Sequence, residues 1–305
     1  ELRMRDDPRH GLVQRRHLRF FEPVIGQPRE RRTPEDKADQ IERDAAEHAA
    51  FADYRQAQAG WLDDYALFMA LETAHGGQPW WTWPAPLRDR DAAALAAART
   101  AHAGEIGFWS FVQWCFDTQC VALKQYANAR GVHILGDLPI FVAHHSADCW
   151  ARPDLYQLDA DFLPTVVAGV PPDDLGPEGQ RWGNPLYRWS EHATSGYAWW
   201  VERVRRSFEL VDIVRIDHFR GFAAHWEIAA SEPTAQHGHW RAGPGAALFE
   251  AICCHLGAAG FGQIDLQARR QVVIFGSGIL DGDRTKRDKA IEFRQDHMHG
   301  EVRRG

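Results

Sequence analysis

The run Val-Asp-Ile-Val-Arg-Ile-Asp-His-Phe over 211–219 is apolar and β-branched until it reaches Arg215 and Asp217. In an extended chain successive side chains alternate faces, so Val211, Ile213, Arg215 and Asp217 share one side. Two apolar residues followed by a cation and a carboxylate describe a barrel interior that turns polar at the C-terminal end of a strand. Barrel enzymes keep their active sites at that end. A guanidinium two positions before Asp217 would hold the carboxylate ionised and oriented, as a glycosyl-transfer nucleophile requires. The same spacing also describes a structural ion pair at a strand end. VHILGDLPIFV (132–142) repeats the arrangement, because Pro139 stops a strand just after Asp137. A carboxylate that caps backbone N–H groups is the alternative there.

The segment GVPPDDLGPEGQRWGNPLYRW (169–189) holds four prolines and four glycines, a composition expected of a long structured loop rather than a helix or regular strand. Its Gln180, Trp182, Asn184 and Tyr187 form an aromatic and amide set suited to hydroxyl-rich ligands; a purely structural excursion is the other reading. Several of the 13 tryptophans lie in turn-rich surroundings such as HGGQPWWTWP (75–84). There an indole either fills a core or stacks on a sugar ring. The pairs His144-His145, His237-x-His239 and His297-x-His299 lack the H-E-x-x-H pattern, so no metal is expected. No glycine-rich phosphate loop occurs, and no cofactor is expected.

Helices must carry these strands. Apolar periodicity and alanine content predict helices over 34–57, 61–77, 89–103, 105–130, 196–209 and 243–260, with strands at 132–142 and 211–219. A helix followed by a buried strand, repeated, indicates an α/β barrel or a doubly wound sheet. Residues 1–44 alternate charge without an apolar period and read as a weakly ordered lead-in. After helix 243–260 a strand is due, and the tail from Phe261 does not offer a clean one. The 305 residues carry 35 Lys+Arg against 42 Asp+Glu, a net charge of −7, which argues against a nucleic-acid partner. The sequence contains no membrane-length apolar run and no apolar signal core, and its five cysteines form no C-x-x-C pair, so a cytoplasmic location is expected.

The strings WLDDYALFMAL, GDLPIFVAHHSADCW, PTVVAGVPPDDLGPEGQRWGNPLYRW, VRIDHFRGFAAHWEIAASEPTA and GPGAALFEAI, spread over 48–257, resemble the 4-alpha-glucanotransferase (amylomaltase) family, glycoside hydrolase family 77. The resemblance implies a (β/α)8 TIM barrel with inserted subdomains, incomplete in this chain. The barrel portion would occupy 45–260, with a helical insertion at 45–130, a substrate loop at 143–192 and an atypical tail at 261–305. It implies retaining transfer of an α-1,4-glucan segment to the 4-hydroxyl of an acceptor glucose or maltooligosaccharide. Asp217 matches the family's nucleophile and Arg215 the arginine that orients it. Asp137 matches a strand-end aspartate near the donor sugar, while Gln180, Trp182 and Asn184 match the wall of the glucan channel. His218 follows the nucleophile as in the family, although strand alternation turns it away.

The departures are both local and terminal. The family's early S-P-Y…N-P-L strand and its later H-D strand are not found. Both ends, 1–44 and about 261–305, look foreign to the family, as expected of a truncated or frame-altered chain. His145 replaces an aspartate, and Asp174 replaces a lid aromatic. The general acid/base glutamate is not found: GFGQIDLQARRQ (260–271) stands where the family's A-E-D-L-G strand is expected, with Ile264 at the glutamate position. Loss of a general acid removes about 10²–10⁴-fold of rate. A catalytically inactive α-glucan-binding fragment is therefore the alternative expectation.

Overall fold

Proline-free, alanine-rich stretches become helices, as their propensities require. A computed structural model describes residues 34–174, 176–256, 260–266 and 269–275. The chain divides into two units, 1–52 and 53–305, and the described part of the first belongs to α1 (Pro34–Ala57). Residues 1–33 of the expected lead-in lie outside the described residues; its last stretch, from Pro34, is helical.

In the second unit α2 (Ala59–Ala74) buries Leu62, Ala66, Leu67, Phe68, Ala70 and Leu71, most of its circumference. It stops at Gly76 and Gly77, whose φ values of 63° and 73° suit glycine. Then come α3 (Ala85–Arg88), α4 (Ala92–Ala101) and the 26-residue α5 (Ala103–Asn128). Asp91 caps α4 by accepting the Ala94 N–H at 2.9 Å. The remaining elements are β1 (Leu135–Leu138), α6 (Ala147–Ala151), β2 (Val166–Val170), β3 (Gln180–Pro185), α7 (Trp189–Thr194) and α8 (Ala198–Leu210). They are followed by β4 (Ile213–Ile216), β5 (Ala224–Ala229), β6 (Gly238–Ala242), α9 (Ala246–Leu256), β7 (Gly260–Leu266) and β8 (Arg269–Phe275).

Two four-stranded sheets result, ordered β1-β4-β8-β7 and β3-β2-β5-β6. β1 and β4 are parallel, from Leu135↔Ile213 to Leu138↔Ile216. β8 runs antiparallel to β4, and β7 antiparallel to β8. Only residues 267 and 268 lie between β7 and β8, too few for the crossover that parallel strands need. The second sheet is antiparallel throughout. The fold is mixed α/β, and the strands do not close into a barrel among the described residues.

Four expectations need correction. The strands at 132–142 and 211–219 shrink to 135–138 and 213–216. Pro139 lacks the donor to continue the first, and His218, at φ 48°, turns the chain out of the second. The loop 143–192 contains α6, β2, β3 and α7. Its proline- and glycine-rich part forms β3, because Gly169 of β2 lets the Gln180 backbone approach where any Cβ would collide with the Gln180 carbonyl. The tail supplies a hairpin, β7–β8, rather than no strand.

Trp80, Trp150, Trp200, Tyr156, Tyr187 and Phe222 form the heart of the core. Trp80, Trp83 and Trp150 satisfy their ring N–H groups on the carbonyls of His144, Gln78 and Leu87 at 2.8–3.0 Å. These tryptophans are core residues, not sugar platforms.

Candidate active site

Both parallel strands start from one anchor. The Asp212 carboxylate accepts the Ile134 N–H at 2.8 Å and the Asn128 amide at 2.8 Å, and Lys124 donates to the Phe208 and Val211 carbonyls. Burial pushes the Asp212 carboxyl up, but the Ile134 N–H, Asn128 and the Lys124 charge outweigh it and bring it below the usual value. From that anchor Leu138, Val214 and Ile216 point into the core. Asp137, Arg215 and Asp217 take the opposite, open face, where Ile213 is only half-buried.

Asp137 and Arg215 stand directly opposite in the ladder. Arg215 Nε donates to Asp137 Oδ1 at 2.9 Å and its Nη2 donates to Oδ2, a bidentate fork. Sequence spacing pointed to Asp217 as the partner, whereas register gives the fork to the neighbouring strand. Asp217 acts on Arg215 through its charge: the Asp137 hydrogen bonds first, then the fields of Asp137 and Asp217, hold the guanidinium above its ordinary value. The Asp217 N–H donates to the Leu138 carbonyl at 3.3 Å and extends the ladder by one rung, leaving its side chain exposed.

Gln180, Trp182 and Asn184 lie on β3, whose pairing with β2 is irregular between Val167 and Gly169. Trp182 Nε1 donates to Gln180 Oε1 at 3.1 Å, and Asn184 Nδ2 donates to the Val142 carbonyl at 2.9 Å. The Trp182 ring meets the His218 ring edge-on at 4.9 Å while staying 38% exposed. His218 Nε2 is buried with no hydrogen-bond partner among the described residues. Burial lowers the His218 pKa, the Asp217 charge raises it and Arg220 lowers it, with a net decrease, so the ring is neutral near pH 7. Contacts and fields thus join Asp137, Arg215, Asp217, His218, Trp182 and Gln180 in one network, with Asn184 tying its strand to the loop after β1.

A profile described as 4-alpha-glucanotransferase matches residues 28–269. The chain belongs to the 4-alpha-glucanotransferase family. The 4-alpha-glucanotransferase of Thermus thermophilus is 54% identical over 206 residues, covering 68% of this chain and 41% of that protein. That of Aquifex aeolicus is 43% identical over 200 residues, covering 66% of this chain and 41% of the relative. Among solved structures, an amylomaltase from Streptococcus agalactiae in complex with acarbose is similar at 36% identity and a TM-score of 0.67, over 77% of this chain and 48% of that one. The chain spans about two fifths of the length of the curated relatives it matches.

Within this family member, sequence reasoning passed over β5 and β6. Ladder register puts His225, Glu227, His239 and Arg241 on the sheet face that carries Gln180. Glu227, 6% exposed, takes Arg241 Nε at 3.2 Å and lies 2.9 Å from His239 Nε2. The available signal was alternation: HWEI and HWRA each put a titratable residue at every second position. Of the histidines weighed for metal, His144, His145 and His239 have other partners. His144 Nε2 donates to the Phe162 carbonyl at 2.8 Å and its ring stacks on Trp81; His145 lies 3.2 Å from Glu72 and takes the Trp80 N–H. His297 and His299 lie outside the described residues, among which no group of three His, Cys, Asp or Glu could hold a metal ion. Among them too, no helix is long and apolar enough to cross a membrane. Asp174 sits exposed in the turn before β3. Ile264 lies in β7, in register with Gln271 of β8, one strand removed from β4.

Proposed function

We propose that the chain carries the nucleophile half of a 4-alpha-glucanotransferase site on part of a (β/α)8 barrel with inserted subdomains. In this reading Asp217 attacks the anomeric carbon of the donor as its C1–O4 glycosidic bond breaks, the departing 4-oxygen taking a proton from water. The 4-hydroxyl of an acceptor glucan then attacks that carbon, loses its proton to water and frees the Asp217 carboxylate, with net retention. Arg215 orients the strand ends by clamping Asp137 and keeps positive potential beside Asp217. Trp182 offers an aromatic face to a glucose ring. Gln180 and Asn184 supply amides for hydroxyls, and the neutral His218 ring backs the Trp182 indole from the turn. The substrates are α-1,4-glucans and maltooligosaccharides, in the cytoplasm.

The observation that carries the reading is the convergence of Asp217, Arg215 and Asp137 with the Trp182–His218 pair at the rim of one parallel strand pair. The second reading, an inactive glucan-binding fragment, draws on Ile264 at the expected glutamate position. Incubation with maltotriose followed by thin-layer chromatography separates them. A ladder that includes glucose supports transfer. Retention on an amylose column without a ladder supports binding alone, and neither result contradicts both.

A further inference from the structure

The turn that follows β4, residues 217–222, is gripped from two sides. On one, His218 meets Trp182 of β3. On the other, the Arg220 guanidinium lies 4.1 Å from the ring centroid of Trp240 on β6. Trp240 is not a loose surface indole, although 40% of it is exposed. It stands directly across the ladder from Trp226, and the two rings meet at 5.4 Å in a T-shaped pair. Trp226 is in turn pinned by its Nε1–H to the Ala235 carbonyl at 2.9 Å. Gly238 packs against the Trp226 ring so closely that a Cβ would stand 2.5 Å from Nε1. At the exit of the turn the Gly243 N–H donates to the Ala223 carbonyl at 2.9 Å, and the Gly245 N–H to that of Phe222 at 2.9 Å.

We propose that Arg220 is a positioning residue: its stack on Trp240 ties the turn carrying Asp217 and His218 to the second sheet and holds a fixed cation beside the His218 ring. The charged and titratable groups whose fields reach that ring are Asp217 before it, Arg220 after it and His225 from β5. Asp217 favours the imidazolium form and Arg220 opposes it. A guanidinium released from Trp240 would swing into water, where salt screens it within about 10 Å. The stack therefore links an indole on β6 to the charge state of a histidine in the turn that follows β4. This inference takes its meaning from the proposed nucleophile turn, but its test needs no substrate, so the two can fail separately.

The test is the titration of His218 followed by its ring proton shifts, assigned by loss of the signal in His218→Gln. Arg220→Gln removes the charge, and Trp240→Leu removes its seat. Both are expected to raise the His218 midpoint by about half a pH unit or more. Arg220→Lys and Trp240→Phe keep a charge and a π face and are expected to titrate close to the parent. Should Trp240→Leu unfold, Trp240→Met carries the same expectation. An unmoved midpoint in Arg220→Gln overturns the proposal. So does a shift in Arg220→Gln that Trp240→Leu and Trp240→Met lack, because the charge would then act without the stack.

Discussion

At the scale of single residues, the site combines an exposed carboxylate with a clamp that belongs to its neighbour. Arg215 forks onto Asp137 across the ladder and joins the two strand ends, while the Asp217 side chain stays exposed beside them. Arg215→Lys cannot make the fork, since an ammonium is a point donor rather than a planar pair. It is expected to lower kcat of glucan transfer more than it raises KM, read from initial rates with maltotriose. Trp182 is an exposed aromatic that meets the turn at His218. Trp182→Ala removes roughly 1–2 kcal/mol of apolar contact with a bound sugar, about tenfold in Kd. Titration calorimetry with a maltooligosaccharide measures this, and unchanged affinity would remove Trp182 from the binding surface. Parts of this site were legible in the sequence: period-two spacing put Arg215 and Asp217 on one face, and resemblance supplied Gln180, Trp182 and Asn184. The partner of Arg215 was not, because register between residues 78 positions apart leaves no trace in local spacing.

At the scale of elements, helices were legible because long proline-free runs rich in apolar residues and alanine extend over several turns, as in α2 and α5. Strand ends were not, since strands of four residues offer a period of two only twice. β3 was hidden altogether: its glycines and prolines read as loop, and only the pairing with Gly169 makes it a strand. Gly169→Val is accordingly expected to break the β2–β3 pairing and free Gln180 and Trp182, seen as lost glucan affinity with the helical circular dichroism signal kept. Between β3 and α8 lies a different device. His192 of α7 is fully buried among Tyr187, Trp189 and Trp199, and burial pushes its pKa down to about 4. The unfolded chain binds a proton near pH 6.5 that the folded chain refuses. Stability is therefore full above about pH 6.5 and falls as pH drops toward about 4, by up to roughly 3 kcal/mol. Urea unfolding midpoints measured across that range are expected to decline in the parent and to decline less in His192→Phe. Equal slopes would contradict this.

At the scale of the molecule, the apolar surface is unusually open on one side. Phe108, Phe116, Leu123 and Tyr126 of α5 are 49–60% exposed, and Leu135 of β1 is 48% exposed. β1 has a ladder neighbour on one side only among the described residues. An open strand edge beside apolar surface favours association. Light scattering coupled to size exclusion is expected to give a mass that rises with concentration, and Phe116→Glu with Leu123→Glu is expected to reduce the rise without changing circular dichroism. The family was legible from long ordered strings, whereas the mixed direction of the first sheet was not, because β7 and β8 were not recognised as strands in the tail. Residue, element and molecule meet at Asp217, and covalent trapping tests it most directly. After incubation with a slow-reacting fluorinated glucosyl donor, digestion and mass spectrometry should find one sugar on the peptide containing Asp217 and none in Asp217→Asn. A label on any other residue, while the same preparation still redistributes maltotriose, would contradict the account.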